Sequence, residues 1–181
     1  MKKYILWITE TAVMLALLVT LQLLTKGFGQ LVTGSFVNGV LAVTVLVVGL
    51  SGGITVALIS PVLAYLLGIA PQILTVPAIM VGNGVYVTVL YFLAGKDGKN
   101  LVRRIAAWIT AAVAKFATLY LIVAGLICGM LAEKLLSTGA LKPPMVSMLT
   151  ATFSWPQLIT ALIGGAVAML IVPVLRKALH K

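Results

Sequence analysis

Charged residues are scarce in this chain. They make up 9% of its 181 residues, whereas hydrophobic residues make up 62% and the mean hydropathy is +1.20. A soluble domain carries about a quarter charged residues, so this composition cannot cover a water-facing surface. The sequence therefore predicts an all-α membrane protein with six transmembrane helices, forming a single domain over residues 1–181.

Acids, cysteine and histidine are also nearly missing. There are three acidic residues, one cysteine (Cys128) and one histidine (His180) next to the C-terminus. This set excludes an internal disulfide and provides no metal-ligand group and no nucleophile–base pair, so we expect neither an enzyme nor a bound metal or cofactor. The phosphate-binding pattern GxxxxGK[ST] is missing as well, so any ATP dependence would need partner proteins.

Basic residues outnumber acids by 13 to 3, which raises the question of nucleic-acid binding. They sit at the ends of apolar stretches and not in a patch interleaved with aromatic residues, so we reject that function. The first apolar stretch resembles a signal peptide, but Glu10 and Thr11 interrupt it, so we interpret it as an uncleaved span. The expected spans are approximately 4–25, 36–50, 54–69, 73–93, 101–130 and 155–175.

The connections between these spans contain most of the turn-forming residues. The glycine-rich segment 26–35 is expected to be a turning loop rather than a helix, and 51–53 and 70–72 are expected to be tight turns. The most polar loop is 95–100, and the longest connection is 132–154.

The distribution of basic residues predicts the orientation in the membrane. Six spans place both termini on one side, and nine basic residues then share that side against three on the other. By the positive-inside rule both termini should be cytoplasmic, and the first and last long loops external. The nine are Lys2, Lys3, Lys96, Lys99, Arg103, Arg104, Arg176, Lys177 and Lys181, and the three are Lys26, Lys134 and Lys142.

Lys115 is a charge inside the fifth span. It lies roughly 20 Å along the helix from its start, in the outer half of the bilayer, where a charge costs about 2.5–3.5 kcal/mol. The ammonium could bind an anionic group of a ligand, extend outward to water, or pair within the bundle. Glu10 lies about 12 Å away along the membrane normal, so we expect it instead to meet Lys2, Lys3 or a partner subunit.

Other polar and aromatic side chains gather in the same outer half, as in a pocket open to the outside. Asn83 either contacts a ligand or makes an interhelical hydrogen bond, and Trp155 either stacks on a ligand ring or anchors the membrane interface. Small residues four apart, such as Ala161 and Gly165, indicate helix packing. The candidate substrate-binding residues are Asn83, Lys115, Trp155, Gln157, Asn38, Thr33, Ser35 and Tyr86.

Several stretches together resemble the substrate-binding S components of energy-coupling factor (ECF) vitamin transporters. Ala12-Val-Met-Leu-Ala16 is similar to the small-xxx-small signature of the first span in that family. The run SFVNGVLAVTVLVVGLSGGITVALISPVLAYLLG resembles its second and third spans, and VPAIMVGNGVYVTVLYF and SWPQLITALIGG resemble later ones. The resemblance covers nearly the whole chain.

This resemblance implies a high-affinity substrate-capture subunit of an ABC-type importer in a bacterial plasma membrane. It implies docking through Ala12 and Ala16 on a transmembrane coupling subunit that works with two cytosolic ATPases, and ligand contacts from the outer parts of spans 4 to 6 and the external loops. Lys115 suggests a small vitamin-like or carboxylate-bearing substrate. The alternative is a structural membrane protein such as a cell-shape scaffold subunit, which would need no polar pocket.

Overall fold

The computed structural model describes residues 2–70, 72–95 and 101–179, and its regular elements there are all helical. Lys96, Lys99, His180 and Lys181, and Pro71 of the expected turn 70–72, lie outside the described residues. The long helices are α1 (Lys2–Thr25), α2 (Gln30–Val47), α3 (Leu50–Leu66), α4 (Val76–Ala94) and α5 (Leu101–Leu119), which continues as a π-helix over Tyr120–Met130; the short α6 (Ala132–Ser137) and α7 (Pro143–Thr152) precede α8 (Trp155–Ala178).

Five helical segments of the described chain are long and apolar enough to cross a membrane. The sixth candidate, α3, is apolar but has 17 residues, slightly under the roughly 20 that a perpendicular span needs. An all-α membrane protein with five to six apolar helices is therefore confirmed. The count of six and the cytoplasmic position of both termini stay predictions.

The segment after α1 is more helical than the sequence suggested. Residues 26–35 were expected to form a loop, but a 3₁₀ turn covers Lys26–Phe28 and α2 already begins at Gln30. One residue, Gly29 with φ +84°, makes the change of direction, because only glycine adopts that conformation without strain. Helix continues right up to this point since backbone groups near lipid must bond within the chain.

Two more of the predicted connections, 51–53 and 132–154, are also more helical than expected. Gly52 and Gly53 lie inside α3, and the turn before them is made by Gly49 with φ +106°. The expected tight turn at 51–53 is therefore wrong by a few residues. The long connection 132–154 is not an open loop, because α6 and α7 fill most of it.

The core is built around α2, which packs against α8. Gly39 of α2 faces Gly164 of α8 so closely that a Cβ on Gly164 would overlap the backbone of α2 at Ser35 and Gly39. The neighbouring Gly165 leaves room for the indole of Trp108 from α5. Small residues thus let these helices approach closely, as the spacing in α8 predicted.

Helix α1 lies at the edge of the bundle, against α2 and α3. Of its spanning window only 11% is buried, and Ala12 and Ala16 are both exposed. One face alone turns inward. Its buried residues are Thr11, Leu18, Gln22 and Thr25.

Candidate functional site

The centre of the site is the Lys115 ammonium, where α5 meets α2 and α4. Its Nζ donates to Asn38 Oδ1 at 2.5 Å and to Asn83 Oδ1 at 2.6 Å. The residue is only 3% exposed, so the side chain stays inside the bundle and does not extend outward to water. Three helices are thereby joined at one charged atom, and two of the bonded side chains lie 77 residues apart in the sequence.

The chemistry of the ammonium determines how both amides are turned. A lysine can only donate hydrogen bonds, so each asparagine must present its oxygen to Nζ and its NH₂ group elsewhere. The Asn38 NH₂ donates to Gly34 O at 2.9 Å and to Thr160 Oγ1 at 3.2 Å. The Asn83 NH₂ is buried and has no hydrogen-bond partner in the described part of the chain.

Tyr86 completes the surroundings of the ammonium. It lies one turn after Asn83 on α4, and Nζ is 5.6 Å from the centroid of its ring. A cation near a ring face at this distance is attracted by the electrons of the ring, which offsets part of the cost of burial. The tyrosine is fully buried, and its hydroxyl is without a partner in the described residues.

The charge of Lys115 is solvated by neutral groups. Both hydrogen-bond acceptors are amides, and no acidic residue appears among the described residues that line the adjoining cavity. Two of the three ammonium protons are used by these bonds. A buried cation that lacks a counter-charge is costly, so this arrangement favours the arrival of an anion.

A cavity of about 100 Å³ lies beside this cluster. Side chains from α1, α2, α3, α4, α5 and α8 line it, and one edge reaches the exposed Gln30 at the start of α2. Its lining combines a few polar groups with apolar walls, as small-molecule sites do. The lining residues are Gln22, Gln30, Thr33, Gly34, Val37, Asn38, Ser60, Pro61, Ala64, Ile69, Ala70, Ile79, Asn83, Lys115, Thr152, Phe153 and Gln157.

Most of the residues predicted from the sequence meet at this cavity. Five of the eight candidates line it. A sixth, Tyr86, is not part of the lining, but its ring lies next to the Lys115 ammonium. Three of the five bond to one another, and the other two bond to backbone carbonyl groups. Thr33 Oγ1 donates to Thr25 O at 2.8 Å, and Gln157 Nε2 donates to Thr152 O at 3.1 Å. The five are Asn38, Asn83, Lys115, Gln157 and Thr33.

Two predicted residues lie elsewhere. Trp155 is 67% exposed and stacks on Phe116, with ring centroids 5.5 Å apart and an interplanar angle of 19°. Ser35 donates to Leu31 O within its own helix and faces an apolar groove between α1, α2 and α8. Neither side chain belongs to the cavity in this structure, and a ligand contact by either stays a prediction.

The sequence analysis missed several lining residues, of which Gln22 is the most informative. It is an amide within an apolar span, the same signal that singled out Asn83, and its Oε1 is buried without a partner in the described residues. Pro61, inside α3, is another lining residue that the sequence analysis did not single out. The described chain brings together no group of three His, Cys, Asp or Glu side chains that could hold a metal.

Comparison with known proteins gives the family. Searches of curated proteins and of solved structures returned no match. A family model, described as the substrate-specific component of ECF transporters, matches residues 8–176. That match covers every residue that lines the cavity and all of the helical bundle except the first residues of α1 and the last of α8, so the resemblance seen in the sequence is confirmed. The chain belongs to the ECF transporter substrate-specific (S) components, integral membrane subunits that capture substrate for an importer.

Proposed function

We propose that this S component binds a small, vitamin-like or other carboxylate-bearing micronutrient with high affinity in the cavity beside Lys115, and that the cavity faces outward. The observation that carries the proposal is the buried ammonium, which has two neutral acceptors and a third proton to donate. Family membership favours this function over the structural scaffold.

A carboxylate fits the unused hydrogen-bonding groups on this side of the cavity. It could accept the third proton of Lys115 and a proton of the Asn83 NH₂, which is otherwise unpartnered. Charge-assisted hydrogen bonds of this kind are roughly twice as strong as neutral ones. The carboxylate would also supply the counter-charge that the described lining lacks.

Family membership and the exposed surface of α1 indicate which partner proteins this subunit binds. An ECF S component works with a coupling subunit and separate ATPases, and this sequence has no nucleotide-binding pattern of its own. Ala12 and Ala16 are exposed on a helix that buries little of its surface within the bundle. We propose that this face docks on the coupling subunit in the plasma membrane of a bacterium.

Thermal unfolding of the purified protein with a panel of small carboxylates, each beside its primary amide, tests the binding proposal. A ligand that binds only the folded state raises the unfolding temperature by mass action, and we expect carboxylates to do so more than their amides. Mass spectrometry of what co-purifies would identify the natural ligand. A panel in which amides and carboxylates act alike would contradict the anion contact.

The variant Lys115→Ala gives a sharper test of the same contact. We expect it to weaken binding of a carboxylate about tenfold more than binding of the matching amide, because only the carboxylate loses an ionic partner. Lys134, an exposed lysine on the short α6, provides the control variant Lys134→Ala, which should leave both affinities unchanged. Equal losses for the two ligands would show that Lys115 acts only through packing.

A further inference from the structure

Two buried amide groups without partners lie at this cavity and have opposite hydrogen-bonding character. The Asn83 NH₂ is a donor and Gln22 Oε1 is an acceptor, and neither has a hydrogen-bond partner in the described residues. Asn83 is 1% exposed and Gln22 is 8% exposed. Native proteins rarely leave such groups unsatisfied when buried, so both are expected to bond to whatever fills the cavity.

The two amides come from different helices and do not satisfy each other. Asn83 is held by α4 with its oxygen on Lys115, whereas Gln22 is on α1. No hydrogen bond within the described residues fixes the Gln22 amide as Lys115 fixes that of Asn83. In the orientation of this structure its buried Oε1 can only accept, so it needs a ligand O–H or N–H group. In that orientation a carboxylate alone offers only acceptors and leaves the oxygen unpaired, whereas a hydroxyl can bond to either end of the amide.

We propose that the ligand is bifunctional: a carboxylate at Lys115 and Asn83, and a hydroxyl or amine donor that bonds to Gln22 Oε1. This inference rests on the proposed function and extends it to the other end of the ligand. The donor ties α1, which has few buried residues, to the core helices that hold the carboxylate.

The cavity volume limits the size of the ligand. A dry cavity of about 150 Å³ takes benzene, and this one has about 100 Å³. In proportion, its enclosed part accepts roughly four to five heavy atoms, either a whole small molecule or the end of a larger one that passes the exposed Gln30. A short hydroxy acid or amino acid has both groups within that size.

Three matched pairs of short acids test the proposal on the purified full-length protein: acetate with glycolate, propionate with 3-hydroxypropionate, and butyrate with 4-hydroxybutyrate. Their affinities are measured by calorimetry and by thermal unfolding. At the length that fits, we expect the hydroxy acid to bind about tenfold or more tightly than its parent, since it satisfies a buried acceptor.

The variants Gln22→Leu and Gln22→Met should abolish that preference, leaving each pair within about twofold. Both should fold, because they remove a group that has no partner in the described residues. Gln72→Leu removes a glutamine that does not line this cavity and that donates to Ala140 O; it is the matched control and should keep the preference.

The possible outcomes separate this inference from the proposed function. If parent acids bind as well as hydroxy acids, or if the preference survives Gln22→Leu, the bifunctional ligand is overturned while the carboxylate site stands. If Lys115→Met leaves the affinity of every acid unchanged, the carboxylate site itself is overturned. If none of the six acids binds, the short bifunctional ligand is overturned. The wider panel of carboxylates and amides then tests whether the carboxylate site itself stands.

Discussion

Lys115 links several helices of the bundle through hydrogen bonds and still has one ammonium proton free to donate. Its ammonium is bonded to one amide from α2 and one from α4, and an aromatic ring lies 5.6 Å away. These groups solvate the charge without neutralising it. The residue therefore contributes to the internal hydrogen-bond network and keeps a proton for a ligand.

A double-mutant cycle between Lys115 and Asn83 measures the internal part of this role. Asn83→Leu should destabilise the ligand-free protein, because it leaves a buried ammonium with one acceptor fewer. In the Lys115→Met background the same change should cost much less. We expect a coupling energy of about 1–3 kcal/mol from denaturant unfolding in detergent. Additive effects of the two substitutions would contradict a direct stabilising bond between them.

At the scale of elements, glycines determine which helices can touch. Gly82 and Gly84 flank Asn83 on α4, and each lets another helix or a flat ligand approach closely. A Cβ on Gly82 would lie 2.6 Å from Leu119 Cγ of α5, whereas Gly84 has no atom within 4 Å. The close approach is therefore that of a helix, and it occurs on one side only.

Glycine-to-alanine substitutions test this difference. Gly164→Ala should strongly destabilise the protein, because its Cβ meets the backbone of α2, which cannot move aside as a flexible side chain could. A cost of about 1–3 kcal/mol is typical of overpacking. Gly84→Ala is the control and should be neutral or stabilising by up to about 1 kcal/mol, since alanine favours the helix. Unfolding temperatures of the two variants check this, and equal losses would contradict the packing account.

Across the whole molecule, the cavity is lined by side chains from every long helix, while α1 keeps an exposed face. Gln22 is on the buried side of α1, and Ala12 and Ala16 are on the exposed side. One helix thus borders the proposed ligand site and also carries the proposed docking face. Substrate capture and docking can therefore be separated by mutation along a single element.

Ala12→Trp and Ala16→Trp provide that separation. We expect each to abolish uptake by the assembled importer, because a bulky side chain prevents close helix contact, while ligand binding by the isolated subunit survives. Leu6→Trp is the control: it is exposed on the same helix, about a third of a turn around it from Ala12, and should retain uptake. Uptake assays in vesicles with the full importer check this. Loss of ligand binding in the alanine variants would instead indicate a role in packing.

Much of the site was predictable because lipid makes polar residues conspicuous. In a span of leucines and valines, Lys115, Asn38, Asn83 and Gln157 are expensive unless they meet one another or a ligand. Trp155 was a weaker candidate because a tryptophan near a membrane interface has an equally good position on the surface. Gln22 gives the same signal, an amide near the outer end of an apolar span, and only the packing of α1 against the bundle shows that it reaches the cavity of Lys115.

The sequence by itself determined the class of protein and its helical content, and it predicts the depth of Lys115. Its composition suffices for these, because a bilayer admits only apolar segments whose backbone bonds are internal. The tertiary structure decided the partners: Lys115 meets Asn38 and Asn83, which are 77 and 32 residues away, and Gln22 reaches the same cavity. Such contacts depend on how each helix is rotated and how closely the glycines let it approach, and neither can be obtained from a residue's depth alone.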